Sequence, residues 1–180
     1  MFLVTSITTL RERSSGTLER LFTMPMGKLD FLAGYALAFG AVAAVQAGIA
    51  TAVSITLLDL TVQGTSALLV VVGVADAVLG TALGLFVSAF ARTEFQAVQF
   101  LPAVVVPQIL LCGLLVPREQ LPTILGGIST VLPLTWAVDA MQELASTTAT
   151  GEVWRDIAIV AAFAAAALAL GAATLQRRTD

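Results

Sequence analysis

Four apolar runs, each long enough to cross a lipid bilayer, leave this chain few folds to choose from. They extend from Asp30 to about Leu58, from Ser66 to about Phe90, from Phe95 to about Val116 and from Val153 to Leu175. A helix needs about 20 predominantly apolar residues to span the hydrocarbon core. The backbone groups placed in that core must be satisfied inside the protein, so runs of this length are read as helices. The expected fold class is all-α integral membrane: a polytopic helical bundle with about four full transmembrane helices. Residues 1–180 would form a single transmembrane domain without a soluble domain or linker.

Composition agrees and removes other classes. The chain is 58% hydrophobic and 12% charged, with a mean hydropathy of +0.94, whereas soluble chains are roughly 25% charged. It has no histidine, the commonest general base and metal ligand. Neither a zinc spacing nor a Gly-x-x-x-x-Gly-Lys-Ser/Thr phosphate loop interrupts the apolar runs. No catalytic or metal-binding residue is expected, nor any nucleic-acid partner. The single Cys112 lacks an intrachain partner and reads as a small packing residue. Met1–Leu10 is apolar but too short for a span and lacks the basic leader of a signal peptide. It reads as the end of a helix or as a short interfacial turn.

The sizeable charged island is Arg11–Lys28, with four of the nine basic side chains: Arg11, Arg13, Arg20 and Lys28. A short helix is expected here. Ser14 or Ser15 would cap it, Glu19 sits in an early turn, and Pro25 stops it near Met24. Leu18, Leu21 and Phe22 share one apolar face, which suits the lipid interface or a groove on a soluble partner. The run Arg11-Glu12-Arg13, Gly16-Thr17-Leu18-Glu19-Arg20-Leu21 and Pro25, followed by Gly34-Tyr35, resembles the cytoplasmic loop of type-2 ATP-binding-cassette (ABC) permeases. The resemblance implies a short cytoplasmic coupling helix docking on an ABC ATPase subunit. The coupling residues would be Arg11, Glu12, Gly16, Thr17, Leu18, Glu19, Arg20, Leu21, Phe22 and Pro25. It also implies a second permease copy, with ATP and Mg bound by the partner ATPase and no cofactor in this chain. Because two spans precede the loop in that family, the chain would correspond to about the C-terminal two-thirds of such a domain.

Within the spans, small and polar residues define contacts. Gly40, Ala44, Gly48 and Ala52 recur every four residues, a stripe that would admit a close helix neighbour. Gly80, Gly84 and Ser88 form a second run, and Asp76 lies in the same span. A carboxylate at mid-bilayer costs about 2.5–3.5 kcal/mol on insertion scales, so it should face protein or water. It reads either as a cavity group meeting a polar or cationic substrate or as a hydrogen bond to a neighbouring helix. Gln99 and Gln108 share the third span with Gln96, Pro102 and Pro107. They would satisfy carbonyls freed by the prolines, line a substrate path, or do both.

Residues 113–152 form the second informative region. Pro117, Leu121, Pro122, Pro133, Leu134, Thr135 and Trp136 resemble the family's extracellular segment after its fifth span. Pro122 can start a helix, and Leu121, Ile124, Leu125, Ile128, Val131 and Leu132 make one apolar stripe. A helix between Pro122 and Pro133 would be only about 16 Å long, so this extracellular pair should be re-entrant or interfacial. Met141–Glu152 is expected to be a polar loop. With the charged island inside, Arg11, Arg13, Arg20, Lys28, Arg92, Arg177 and Arg178 fall in the cytoplasm. Only Arg118 and Arg155 lie outside, a split that obeys the positive-inside rule.

The function implied is the permease of an exporter for a drug, lipid or glycan in the plasma membrane of a prokaryote. A membrane scaffold without transport activity, a non-functional permease fragment, and a secondary carrier using Asp76 are the competing readings. The carrier is disfavoured by the lack of an internal repeat and of a second buried ion-binding group.

Overall fold

The computed structural model describes residues 1–15 and 28–174. Its elements are α1 (Phe2–Ser14), α2 (Lys28–Thr56), α3 (Ser66–Ser88), α4 (Glu94–Leu111), a 3-10 turn (Arg118–Gln120), α5 (Thr123–Val131), α6 (Pro133–Ser146) and α7 (Gly151–Thr174). The described residues are helical, and α2, α3, α4 and α7 each contain a stretch long and apolar enough to cross a membrane.

Helix α3 is the axis of the bundle, with α1, α2 and α7 packed along it. Its Val72, Leu79 and Ala82 join Ala137, Ala140 and Leu144 of α6 and Val153, Val160, Ala164 and Ala167 of α7 in one buried cluster. Alanine dominates this core because small side chains let helix backbones approach closely where lipid supplies no hydrophobic drive. The outer faces stay apolar: Leu37, Val42, Val45, Ile49 and Val53 of α2 are exposed, as a lipid-facing surface requires.

Glycines set two of the crossings. A Cβ built on Gly73 would lie 2.9 Å from the Ala47 Cβ, so α2 and α3 touch through Gly73 and Ala47. The stripe expected on α2 is therefore met only in part. Ala43 is fully buried, whereas Ala52 is exposed and Gly48 faces open space. Gly40 of the stripe stays in contact with Val78 of α3, and beyond it the close approach passes to Ala47, since a spacing of four drifts around a 3.6-residue helix. The second run is a contact: Gly84 and Gly80 meet the first turn of α1.

Met1–Leu10 belongs to a helix, not to a turn. Phe2, Thr5, Ser6, Thr9 and Leu10 form its buried face, and Leu10 packs with Ala91 and Ala97 where α3 passes into α4. Ser14 ends α1 and its hydroxyl donates to the Arg11 carbonyl at 2.9 Å, while Ser15 bonds back to the Glu12 carbonyl at 3.3 Å. Both hydroxyls thus bond backward into α1. The helix expected over Gly16–Thr23 lies outside the described residues.

Two boundaries differ from expectation. Helix α4 stops at Leu111, short of Val116, because Gly113 adopts φ +92°, a left-handed conformation that ends helices. It continues through Pro102 and Pro107. The polar stretch starting at Met141 is helical to Ser146, with Leu144 fully buried. Its alanines and leucine pack on α3 and α7, and that burial outweighs the local polarity.

Helices α5 and α6 meet at 91° across a one-residue break. Pro133 begins α6 at its first turn, where its missing N–H costs nothing. Thr135 then donates its hydroxyl to the Ser129 carbonyl at 2.8 Å, and the Trp136 indole N–H donates to the Thr130 carbonyl at 3.1 Å. The Pro-Leu-Thr-Trp sequence thus satisfies the last carbonyls of α5 across the bend, as an apolar medium demands. The apolar stripe of α5 points outward: Ile124, Leu125, Ile128 and Val131 are all exposed.

Candidate functional site

Three polar residues of the spans converge on one cavity. It measures about 360 Å³ and is enclosed by α1, α2, α3, α4 and the start of α6. Leu79, Leu83, Leu101, Val105 and Leu134 supply apolar walls, and Met1 and Phe2 close one side. Asp76, Gln46 and Gln108 are its polar lining. Such a mixture, mostly apolar with a few placed polar groups, is what small-molecule pockets share.

Asp76 reaches this space because Gly73 and Gly80, a turn away on either side, carry no side chain to fill it. Among the described residues, its carboxylate accepts no hydrogen bond and forms no ion pair. Gln108 is 6% exposed and is engaged on both sides. Its Nε2 donates to the Val104 carbonyl at 3.0 Å, and its Oε1 accepts from the Leu134 backbone N–H at 3.3 Å. It therefore ties α4 to the first turn of α6, whose N–H groups lack helical partners. Gln99, expected beside them, is exposed on another face of α4 and does not line the cavity. Gln46 was not singled out from the sequence, although it is the one amide side chain in the α2 run.

At the Ser14 end, Arg11 and Glu94 make a bidentate pair, Nε to Oε1 at 2.6 Å and Nη2 to Oε2 at 3.0 Å. Both side chains are exposed, so the pair contributes little to stability by itself. Its geometric effect is larger: it joins the end of α1 to the start of α4. Glu12 is half-buried, and burial raises its pKa above the ordinary glutamate value. Its Oε2 is shielded from solvent without a partner among the described residues. Gly16, Thr17, Leu18, Glu19, Arg20, Leu21, Phe22 and Pro25 lie outside the described residues.

At the opposite end, Arg118 pairs with Asp139, and Arg155 pairs with Asp156 at 2.9 Å and with Glu152 at 3.7 Å. Asp156 is fully buried, and the Arg155 guanidinium lies 5.9 Å from the centre of the Trp136 ring. These contacts bind the connection before α5, helix α6 and helix α7 to one another. Sequence reasoning missed this cluster because its parts come from separate elements: Arg118 and Asp139 are 21 residues apart, and Trp136 and Arg155 are 19 apart.

Among the described residues no cluster of histidine, cysteine or acidic side chains could hold a metal ion. The arrangement sets one acidic and two amide side chains on a largely apolar cavity and joins helix ends by ion pairs.

Comparison with known proteins bears on what such an arrangement serves. The chain is 29% identical over 141 residues to ABC transporter G family member 20 of Dictyostelium discoideum, covering 78% of this chain and 19% of that protein. It is 28% identical over 144 residues to the probable multidrug ABC transporter permease YbhR of Escherichia coli, covering 80% of this chain and 39% of that one. With the linearmycin resistance permease protein LnrN of Bacillus subtilis it shares 28% identity over 171 residues, 94% of this chain and 44% of the relative. The chain thus spans less than half the length of these curated relatives. No solved structure matches it. The pattern of the ABC-2 type transporter family matches residues 1–145, which take in α1 to α5, α6 to its last residue but one and the whole lining of the cavity, and the chain belongs to that family.

Proposed function

We propose that this chain forms part of the membrane permease of an ABC exporter that carries a hydrophobic or amphiphilic compound out of the cell. Family membership supports the transporter class, and the names of two relatives, a multidrug permease and a linearmycin resistance permease, support a drug-like cargo. The sequence contains no phosphate loop, so ATP and Mg would be bound by an ABC ATPase subunit. A second permease copy would complete the membrane part. Residues 11–28 and the C-terminus would face the cytoplasm, and residues 113–152 the exterior.

One observation carries the mechanism. Helix α1, which ends at the charged island, is packed on α3 and tied by Arg11–Glu94 to α4. Helices α1, α3 and α4 all contribute to the Asp76 cavity. Movement of the 11–28 loop by an ATPase closing on ATP would therefore reach the cavity walls through packed helices. The ligand-driven step is a rigid-body change that favours one of two arrangements.

The test is a pull-down. Leu21→Asp should abolish co-purification with the ATPase subunit and leave membrane insertion intact. Losing about 1.5–3 kcal/mol of apolar burial weakens a small interface by one to two orders of magnitude. Undiminished capture by the variant would refute docking through this loop.

A further inference from the structure

Residues 113–122 join α4 to α5, and one side chain ties them to the rest of the bundle. Gly113 turns the chain with φ +92°, and the stem of Arg118 folds back over it. A Cβ on Gly113 would lie 3.3 Å from the Arg118 Cγ and 3.5 Å from its Cδ. From there the guanidinium reaches Asp139 on α6. Within the segment, the Gln120 N–H donates to the Pro117 carbonyl at 2.9 Å and the Leu121 N–H to the Arg118 carbonyl at 3.1 Å. These bonds stiffen the turn but fasten it to no other element. Among the described residues, Arg118–Asp139 is the one hydrogen bond that carries residues 113–121 to another helix. The neighbouring Arg155 is engaged by Asp156 at 2.9 Å and Glu152 at 3.7 Å, so Asp139 relies on Arg118. Cys112, the residue before the turn, is fully buried, and its thiol donates to the Ile109 carbonyl at 3.3 Å.

We infer that residues 113–122 form a strap latched by the Arg118–Asp139 pair, which swings as a unit off the Leu111 end of α4 when the pair opens and uncovers Cys112. Segments open cooperatively at a cost set by the few contacts that hold them, and here one contact spans the gap. The two side chains keep 30% and 26% of their surface exposed, so water can replace the pair at less cost than at a wholly buried site. Gly113 serves as one hinge, because glycine tolerates the left-handed turn and its alternatives alike. Pro122, which starts α5, bounds the other end. The helices themselves stay joined when the latch opens. Gln108 makes the deeper tie between α4 and α6, its Oε1 accepting from the Leu134 N–H at 3.3 Å. Ion pairing thus sets how often the end of α4 meets water, and the strap answers to salt and to any solute that competes for either charge. The inference goes beyond the exporter reading and does not rest on it.

The test uses the full chain in phosphatidylcholine nanodiscs, with Cys112, the single cysteine of the sequence, as the reporter of opening. Its modification by a neutral, water-soluble polyethylene glycol maleimide is followed over time. Arg118→Gln and Asp139→Asn should each speed the reaction at least about tenfold while the helical circular dichroism stays unchanged. The double variant should be no faster than either single one, since all three remove the same pair. In the parent chain, raising sodium chloride from about 20 mM to about 1 M should speed modification about threefold, because salt screens a partly exposed pair. This last measurement needs no variant and decides the matter even where a substitution does not fold. A rate indifferent to salt, additive effects of the two substitutions, or acceleration by Arg118→Gln alone would overturn the inference.

Discussion

Replacing Gly84 by alanine tests the packing that positions the cavity. An added Cβ would lie 2.5 Å from the Phe2 carbonyl oxygen, 3.3 Å from the Phe2 carbonyl carbon and 3.2 Å from the Thr5 Cβ. Carbon and oxygen settle at about 3.3–3.6 Å, so the two helices must part by roughly 0.8 Å or more. Two of the three obstacles are backbone atoms, and no rotamer change relieves them. Alanine gains about 0.5–1 kcal/mol over glycine within a helix, but forced overpacking costs about 1–3 kcal/mol. The parting also loosens the buried face of Phe2, Thr5, Ser6 and Thr9. The net expectation is a loss of about 1–2 kcal/mol. Gly48→Ala is the control: it meets nothing within 4 Å and should gain up to about 1 kcal/mol. Unfolding in mixed micelles, followed by the fluorescence of Trp136 and Trp154, would compare the two variants. Equal stability of Gly84→Ala and Gly48→Ala would refute the close approach of α1 to α3.

Three further expectations concern the bend, the topology and the α1 end. Thr135→Val removes one of two hydrogen bonds to the Ser129 carbonyl, which keeps the Leu132 N–H at 3.1 Å, and should cost about 0.5–1.5 kcal/mol; Thr135→Ser should recover most of it in the same unfolding assay, and an equal loss in both would refute the hydroxyl's role. Cysteines at Ser14 and Thr148 in a Cys112→Ala chain should label from opposite sides, since α2, α3 and α4 make three crossings between them; labelling from one side would make α5 and α6 a further span. Glu12 has a raised pKa through burial, so the folded state holds its proton more tightly than the unfolded state does. Its favourable contribution is complete below the ordinary glutamate pKa and is lost as pH rises through the raised one. Glu12→Gln should therefore melt higher than the parent by a margin that widens from pH 4 to pH 7, and a margin independent of pH would contradict the burial.

The spans were legible because a bilayer imposes one requirement on every run that crosses it, and length with apolarity expresses that requirement in the sequence itself. The Pro-Leu-Thr-Trp turn was legible because proline positions and local hydrogen-bonding side chains act over a few residues, whereas the helix expected in the charged island lies outside the described residues. Helix contacts were not so readable. The stripe of Gly40, Ala44, Gly48 and Ala52 is regular in sequence, yet only its start meets α3, while Ala43 is the fully buried residue and Ala47 makes the close contact, because the neighbours decide which face is covered. In a chain this rich in alanine, small residues occur on every face and mark none.

The same limit governs the site. The sequence alone determined that Asp76 must turn away from lipid, since a bare carboxylate there is costly whatever surrounds it. Only the tertiary structure decided what Asp76 meets. It excluded Gln99, which lies on the outer side of α4, engaged Gln108 in holding α6, and brought in Gln46 from 30 residues upstream in the chain. The Arg11–Glu94 pair joins residues 83 apart. Insertion energies are properties of single residues in a medium and can be read one position at a time. Cavities and ion pairs are properties of distances between helices, and those distances exist only once the glycines of α3 have let α1 and α2 close upon it.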